Sequence, residues 1–94
     1  MVRPATDRSL SDAHRRLVKA REDLLVIEEQ LCVLGEDADE ARVRALVSDT
    51  TEAKADAAET RRHADAASRA RAALVDRIKD LERLRDDLLE RLVT

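Results

Sequence analysis

The sequence has no phenylalanine, tyrosine or tryptophan, and it has one glycine and one proline. β-Sheets usually fill their faces with aromatic and β-branched side chains, and their turns need glycine or proline. This composition therefore argues against a β-sheet. A single glycine also excludes the glycine-rich loops that cradle phosphate groups.

Cysteine and long apolar runs are scarce as well. Cys32 is the one cysteine, so an intramolecular disulfide is excluded. No apolar run approaches the ~18–20 residues that cross a membrane, and the N-terminal residues lack the apolar stretch of a signal peptide. We expect a cytoplasmic protein with no membrane partner.

The chain also lacks a large excess of either positive or negative charge. Charged residues make up 41% of the 94 residues, yet the formal net charge is only −3. High but balanced charge is typical of solvent-exposed helix faces with opposite-sign pairs. Nucleic-acid binders instead carry a basic face, often with aromatic side chains, so no nucleic-acid partner is expected.

Two runs of mostly apolar residues, spaced alternately by three and four, dominate the chain. This is the a/d pattern of a coiled coil. The first run comprises Leu10, Ala13, Leu17, Ala20, Leu24, Ile27, Leu31, Leu34, Ala38, Ala41, Ala45 and Ser48. The second comprises Ala53, Ala57, Thr60, Ala64, Ala67, Arg71, Leu74, Ile78, Leu81, Arg85, Leu88 and Leu92.

The cap-forming residues between the two runs indicate a turn, where Asp49 or Thr51 can cap the second helix. The sequence therefore predicts an all-α fold, a two-helix antiparallel coiled-coil hairpin. Its parts are a flexible tail at 1–8, a helix at 9–48, a turn at 49–51 and a helix at 52–93, so that residues 9–94 form the hairpin. Core positions whose residue numbers add to about 101–102 should face each other, for example Ala20 and Leu81.

Gly35 leaves a second possibility open. A break there would give three helices, at about 10–34, 37–48 and 51–93, and a kink there suits either form. The two-helix form is favoured because the spacing continues unchanged through Gly35, and glycine within a helix costs only ~1 kcal/mol.

Further apolar residues flank the predicted core and indicate a partner, because a two-helix hairpin buries only one narrow stripe. Val18, Leu25 and Cys32 lie seven residues apart on the first helix. The predicted interface comprises Val18, Leu25, Cys32, Val75, Leu84, Leu89 and Val93. We expect it to pack against a second copy, giving a four-helix bundle dimer, or against a helix of another protein. A wider amphipathic face with no partner is the third reading, and Cys32 would then be a small buried apolar residue.

Arg71 and Arg85 occupy core positions of the second helix. Each could bind an anion or a partner's carboxylate, or fix the register, but we favour a stem along the core with the charge in solvent. Leu84 could replace Arg85 in the core. His14 and His63 have no neighbours at zinc-ligand spacing, and a thin hairpin offers no catalytic cavity. No catalytic residue, metal, cofactor or small-molecule ligand is predicted.

The outline resembles that of three groups of helical hairpin proteins: transcript-cleavage factors that insert into RNA polymerase, export chaperones, and actinobacterial anti-sigma factors. Ser68 and Arg71 match a Ser-x-x-Arg step of the anti-sigma family that binds cyclic-di-GMP. Ala64, Val75 and Lys79 stand where that family has Glu, Gln and Asp, so this ligand is not predicted. The leading hypothesis is a noncatalytic interaction module, a scaffold or adaptor. The alternative is a small helical regulator that captures a helix of a partner protein.

Overall fold

The structure, a computed structural model, describes residues 4–94 as two long helices, α1 (Pro4–Ser48) and α2 (Thr51–Val93). Asp49 and Thr50 connect them, and the described part of the chain contains no strand. The prediction of an all-helical chain with two long helices is confirmed, and the arrangement is a two-helix hairpin. Neither helix has a stretch apolar enough to cross a membrane, as far as residues 4–94 are concerned.

The start of α1 differs from the prediction. The helix begins at Pro4 rather than near Ser9, so the predicted tail is wrong for residues 4–8, while residues 1–3 lie outside the described residues. Proline suits a first helical position because its φ is already helical and its missing N–H has no partner to lose there. Asp7 lies in the first turn, where a carboxylate favours the positive end of the helix dipole.

Gly35 lies within α1, which runs without a break, so the three-helix alternative is wrong. A Cβ built at Gly35 would meet no atom within 4 Å. No close approach of the chain therefore requires glycine at this position. The apolar spacing that continues on both sides carries the helix through it.

The turn is held by hydrogen bonds at both helix ends. Asp49 has a left-handed φ of 51°, and its N–H donates to the Ala45 carbonyl at 3.1 Å. The N–H of Ala53 donates to the Thr50 hydroxyl oxygen at 3.1 Å. Thr50 is therefore the N-cap of α2, rather than the predicted Asp49 or Thr51, and the helix begins one residue earlier than predicted.

The chain divides into two compact units, each of which contains one segment of α1 and one of α2. We name residues 4–24 with 73–94 the terminal unit. The core of this unit is a cluster of Leu17, Ala20 and Leu81, with Ile78 packed against it. The predicted pairing of Ala20 with Leu81 therefore lies at its centre. Leu17 is the one large side chain among residues 4–94 that is completely buried.

We name residues 25–72 the turn unit. Its buried side chains are the small ones of Ala38, Ala41 and Ala67. We call the residues of the two apolar runs the seam. Its larger aliphatic side chains in this unit, Ile27, Leu31 and Leu34, are half-buried. Alanine side chains bury little apolar area in each layer of the core. The core of this unit therefore buries less apolar area than the regular spacing of its helices suggests.

Burial follows the predicted core positions closely. Every residue of the two apolar runs is buried or half-buried except Ser48, which is exposed. Ion pairs across the helices support the predicted register within each unit. The terminal unit contains Arg21–Glu82 at 3.4 Å, and the turn unit contains Arg44–Asp56 at 3.4 Å and Arg71–Glu28 at 3.3 Å. Their residue numbers add to 103, 100 and 99, close to the predicted 101–102.

Candidate interaction surfaces

Large apolar side chains are more often exposed than buried in this molecule. Single exposed apolar residues are ordinary, whereas rows of them at helical spacing form patches that can bind partners. The exposed members within residues 4–94 are Val18, Leu25, Val26, Val33, Val43, Leu46, Val47, Leu84, Leu89 and Val93.

One side of the terminal unit carries an open groove of about 510 Å³, whose lining residues are Leu10, Ser11, His14, Arg15, Arg85 and Leu89. Val18 follows His14 by four residues and therefore extends the same face of α1 by one turn. Val93 extends the Leu89 row of α2 in the same way and is 82% exposed. We name Leu10, His14, Val18, Leu89 and Val93 the apolar flank.

Leu10 and His14 are absent from the surface that the sequence predicts. Leu10 belongs to the predicted core, and His14 is neither apolar nor part of a metal-ligand set, so neither was assigned to the interface. The signal that points to them is their spacing: Leu10, His14 and Val18 are separated by four residues each. A seam residue that is only half-buried, as Leu10 is, also contributes to the adjoining surface.

Another side of the terminal unit is polar. A groove of about 310 Å³ there is lined mainly by charged residues, among them Arg16, Lys19, Asp23 and Arg77. Lys19 Nζ donates to Asp23 Oδ1 at 2.7 Å, and this hydrogen bond, with the charge of Asp23, raises the pKa of Lys19. We name this side the polar flank. Leu84 follows Arg77 by seven residues and therefore belongs to it.

The predicted interface is therefore divided among several surfaces. Val18, Leu89 and Val93 share the apolar flank, whereas Leu84, 43% exposed, lies on the polar flank. Val75 is half-buried within the terminal unit. The two remaining predicted residues, Leu25 and Cys32, belong to the turn unit.

Both arginines at core positions send their charge to the surface. Arg71 donates from Nε and Nη2 to Glu28 Oε2, at 3.4 and 3.3 Å. Arg85 donates from Nε to Asp86 Oδ1 at 3.2 Å, and its side chain is 30% exposed. Both guanidinium groups thus pair with exposed carboxylates, as the favoured interpretation expects, while the placement of the two stems along the core stays a prediction. The idea that Leu84 replaces Arg85 is wrong, because Arg85 is half-buried and Leu84 is exposed.

The turn unit exposes apolar residues on the α1 face that points away from its seam. Leu25 is 66% exposed, Val26 54% and Val33 56%. Cys32 lies among them and is exposed, so the interpretation of Cys32 as a buried residue is wrong. Its Sγ donates to Glu36 Oε1 at 3.8 Å. Near the turn, Val43, Leu46 and Val47 are exposed as well.

Residues with metal-binding side chains do not gather in groups of three or more anywhere in residues 4–94. His63 Nε2 lies 4.0 Å from Glu59 Oε1 on a solvent-exposed face of α2. His14 is exposed in the groove of the apolar flank. The arrangement on the surface is thus one of apolar rows bordered by charges, which suits contact with another helix.

Comparisons of the chain with protein-family models, with curated proteins and with solved structures each found no match.

Proposed function

We propose that this chain is a noncatalytic coiled-coil protein–protein interaction module, a scaffold or adaptor, that associates with a second copy of itself. In this proposal the apolar flanks of two terminal units pack together, and the four helical segments form a four-helix bundle dimer. Val18 and Leu89 are central to the contact, and Val93 extends it toward the end of α2.

The observation that carries the proposal is the large exposed surface of the single chain. The chain exposes 6927 Å². A compact monomer of its mass, 10.6 kDa, exposes roughly 5,500 Å². The difference is roughly 1,400 Å², whereas a standard dimer removes about 800 Å² from each partner. A second copy therefore has enough surface to cover.

The chemistry of the apolar flank suits a second helical pair. Leu10, His14 and Val18 are spaced by four residues, as are Leu89 and Val93. Such spacing is typical of helix faces that insert into grooves between helices. The arginines of the groove do not oppose association, because Arg15 pairs with Asp12 at 3.4 Å and Arg85 with Asp86 at 3.2 Å.

Analytical ultracentrifugation of the full chain tests the proposal. In high salt, which screens exposed charge pairs, we expect the wild-type chain to sediment as a dimer. The Val18→Glu/Leu89→Glu variant should lose this dimer, because each substitution would bury an unpaired charge in the contact. The matched control is Leu84→Glu on the polar flank, which should leave association unchanged. Circular dichroism checks that helicity is kept. A wild-type chain that sediments as a monomer at high concentration would refute the proposal, and so would a variant that associates like the wild type.

The second candidate function is a small regulator whose terminal unit captures one helix of a different protein. The groove of about 510 Å³ supports this candidate, because it is open to a helix on a single chain. Candidate partners are components of transcription or secretion, because the outline resembles that of hairpin proteins that act in these processes. A purified chain that stays monomeric, and that binds a defined helix only while Val18 and Leu89 are intact, would favour this function over the dimer.

A further inference from the structure

The turn unit carries a row of unpaired acids on the outer face of α1. Glu29 and Glu36 are seven residues apart, and both are exposed. Neither carboxylate forms an ion pair with any residue in 4–94, although Glu36 accepts a hydrogen bond from the Cys32 thiol. Large apolar residues border this row. They are Leu25, Val26, Cys32 and Val33.

The outer face of α2 in the same unit carries a row of unpaired bases. Arg62 and Arg69 are also seven residues apart and exposed. They have no ion-pair partner among the described residues, since the nearby Asp65 pairs with Arg61 at 3.3 Å. The residues around this row are small and exposed. They are Ala55, Ala58, Ala66 and Ala72.

These two faces complement each other in charge, spacing and size. The residue numbers of Glu29 and Arg69 add to 98, as do those of Glu36 and Arg62. One antiparallel register therefore aligns both charge pairs at once. The same register places Val43 opposite Ala55, an apolar pair one heptad further on. Large apolar side chains on one face would meet alanines on the other, which fills space without overpacking.

We propose that a second copy of this chain docks the outer α2 face of its turn unit on the outer α1 face of this one. Glu29 pairs with the copy's Arg69, and Glu36 pairs with its Arg62. A copy laid alongside in the same orientation has the required direction, because its α2 runs antiparallel to this α1. Packing of the outer α1 faces of two turn units would instead bring Glu29, Glu36 and Val43 to this row, and none of these is a base.

The contact joins two different faces, so it is heterologous. The pair as a whole keeps one unused α2 face, on the first copy, and one unused α1 face, on the second, so further copies can add in the same way. This inference rests on the proposed self-association, but it uses the turn unit instead of the apolar flank. In low salt, where the exposed charge pairs are least screened, the two contacts together would link dimers into higher oligomers.

Charge reversal separates the two contacts. The experiment starts from the Val18→Glu/Leu89→Glu variant, which lacks the proposed dimer contact. Any remaining association then reports the turn unit. Two further variants are made from this starting variant. One carries an acid reversal, Glu29→Arg/Glu36→Arg, and the other carries a base reversal, Arg62→Glu/Arg69→Glu. The matched control is Arg91→Glu, which reverses an exposed and unpaired arginine in the terminal unit. Helicity of each variant is checked by circular dichroism.

We expect the starting variant to associate in low salt, and each reversal to weaken that association at least tenfold. An equimolar mixture of the two reversed chains should associate again, because the α1 face of one then meets the α2 face of the other with opposite charge. The Arg91→Glu control should behave like the starting variant. A starting variant that is monomeric at all concentrations overturns this inference. A base reversal without effect, or a mixture that stays dissociated, overturns it as well.

The outcomes also distinguish the two proposals. Loss of the wild-type dimer in Val18→Glu/Leu89→Glu, without charge-sensitive association, leaves the proposed function standing and removes the turn-unit contact. Unchanged association in that variant, which the reversals then abolish, removes the proposed bundle dimer and retains the turn-unit contact.

Discussion

The thin core of this hairpin makes Leu17 the most sensitive single position. Its side chain is 0% exposed and belongs to the cluster with Ala20 and Leu81. Leu17→Ala removes the largest completely buried side chain that the structure describes. Alanine keeps helix propensity high, so the substitution tests packing rather than helix formation.

The expected loss follows from the burial. Buried Leu→Ala substitutions cost about 2.7–5.0 kcal/mol, depending on how far the surroundings relax. We expect about 3 kcal/mol here, because a two-helix core can partly close over the gap. The total free energy of unfolding for a chain of 94 residues is on the order of 5–14 kcal/mol. A single substitution would therefore remove a large share of it, and the Tm should fall by about 12–24 °C.

Urea and thermal unfolding, followed by circular dichroism at one fixed protein concentration, measure the change. The concentration is fixed because association stabilises the folded state. The matched control is Leu46→Ala, the same chemical change at a side chain that is 73% exposed, with an expected effect within about 0.5 kcal/mol. Equal losses in the two variants would show that Leu17 is not the centre of the core.

Three smaller changes test the helix and its turn. Gly35→Ala should stabilise the chain by up to ~1 kcal/mol, since a Cβ meets open space within a helix; a lower Tm would show that α1 needs glycine there. Thr50→Ala should cost about 1 kcal/mol, because the Ala53 N–H loses its capping oxygen. Asp49→Gly should raise stability by about 0.5–1 kcal/mol, since glycine adopts the left-handed φ of 51° without strain, and only an exposed ion pair with Lys54 is lost. All three are measured by thermal unfolding.

Controls keep these comparisons specific. Thr51→Ala changes the neighbouring threonine, whose hydroxyl makes no hydrogen bond among the described residues. A cost for Thr51→Ala as large as that for Thr50→Ala would contradict the assignment of the cap. Asp49→Ala separates the two effects at the turn, because alanine removes the ion pair but keeps the strain of a left-handed φ. If Asp49→Ala stabilises as much as Asp49→Gly, strain is not the cause.

The seam could be predicted from sequence because its burial depends only on spacing within each helix. Side chains that recur every three or four residues share one face wherever the helix lies. This is why the positions on both sides of Gly35 were predicted correctly although glycine itself disfavours a helix. The register followed from the position of the turn, which Asp49 and Thr50 fix within one residue.

The wrong predictions concern residues whose burial, or whose place at a helix end, is not determined by the apolar spacing. Cys32 and Leu84 belong to apolar rows beside the seam, and no periodic pattern distinguishes a side chain that widens the core from one that faces solvent. The start of α1 was misplaced because the apolar spacing that located the helix begins only at Leu10. The structure extends the helix back to Pro4, where proline suits a first helical position.

The division between seam and surface also indicates which residues a partner would recognise under the proposed function. The seam consists mainly of leucine, isoleucine and alanine, which many coiled coils share. Its side chains already pack between α1 and α2. Any partner must therefore recognise the rows outside it. These rows differ between the two units, with apolar anchors beside a groove in the terminal unit and opposed rows of acids and bases in the turn unit. Substitutions in the seam should thus change stability, whereas substitutions at Val18, Leu89, Glu29 or Arg69 should change association while the helices stay intact.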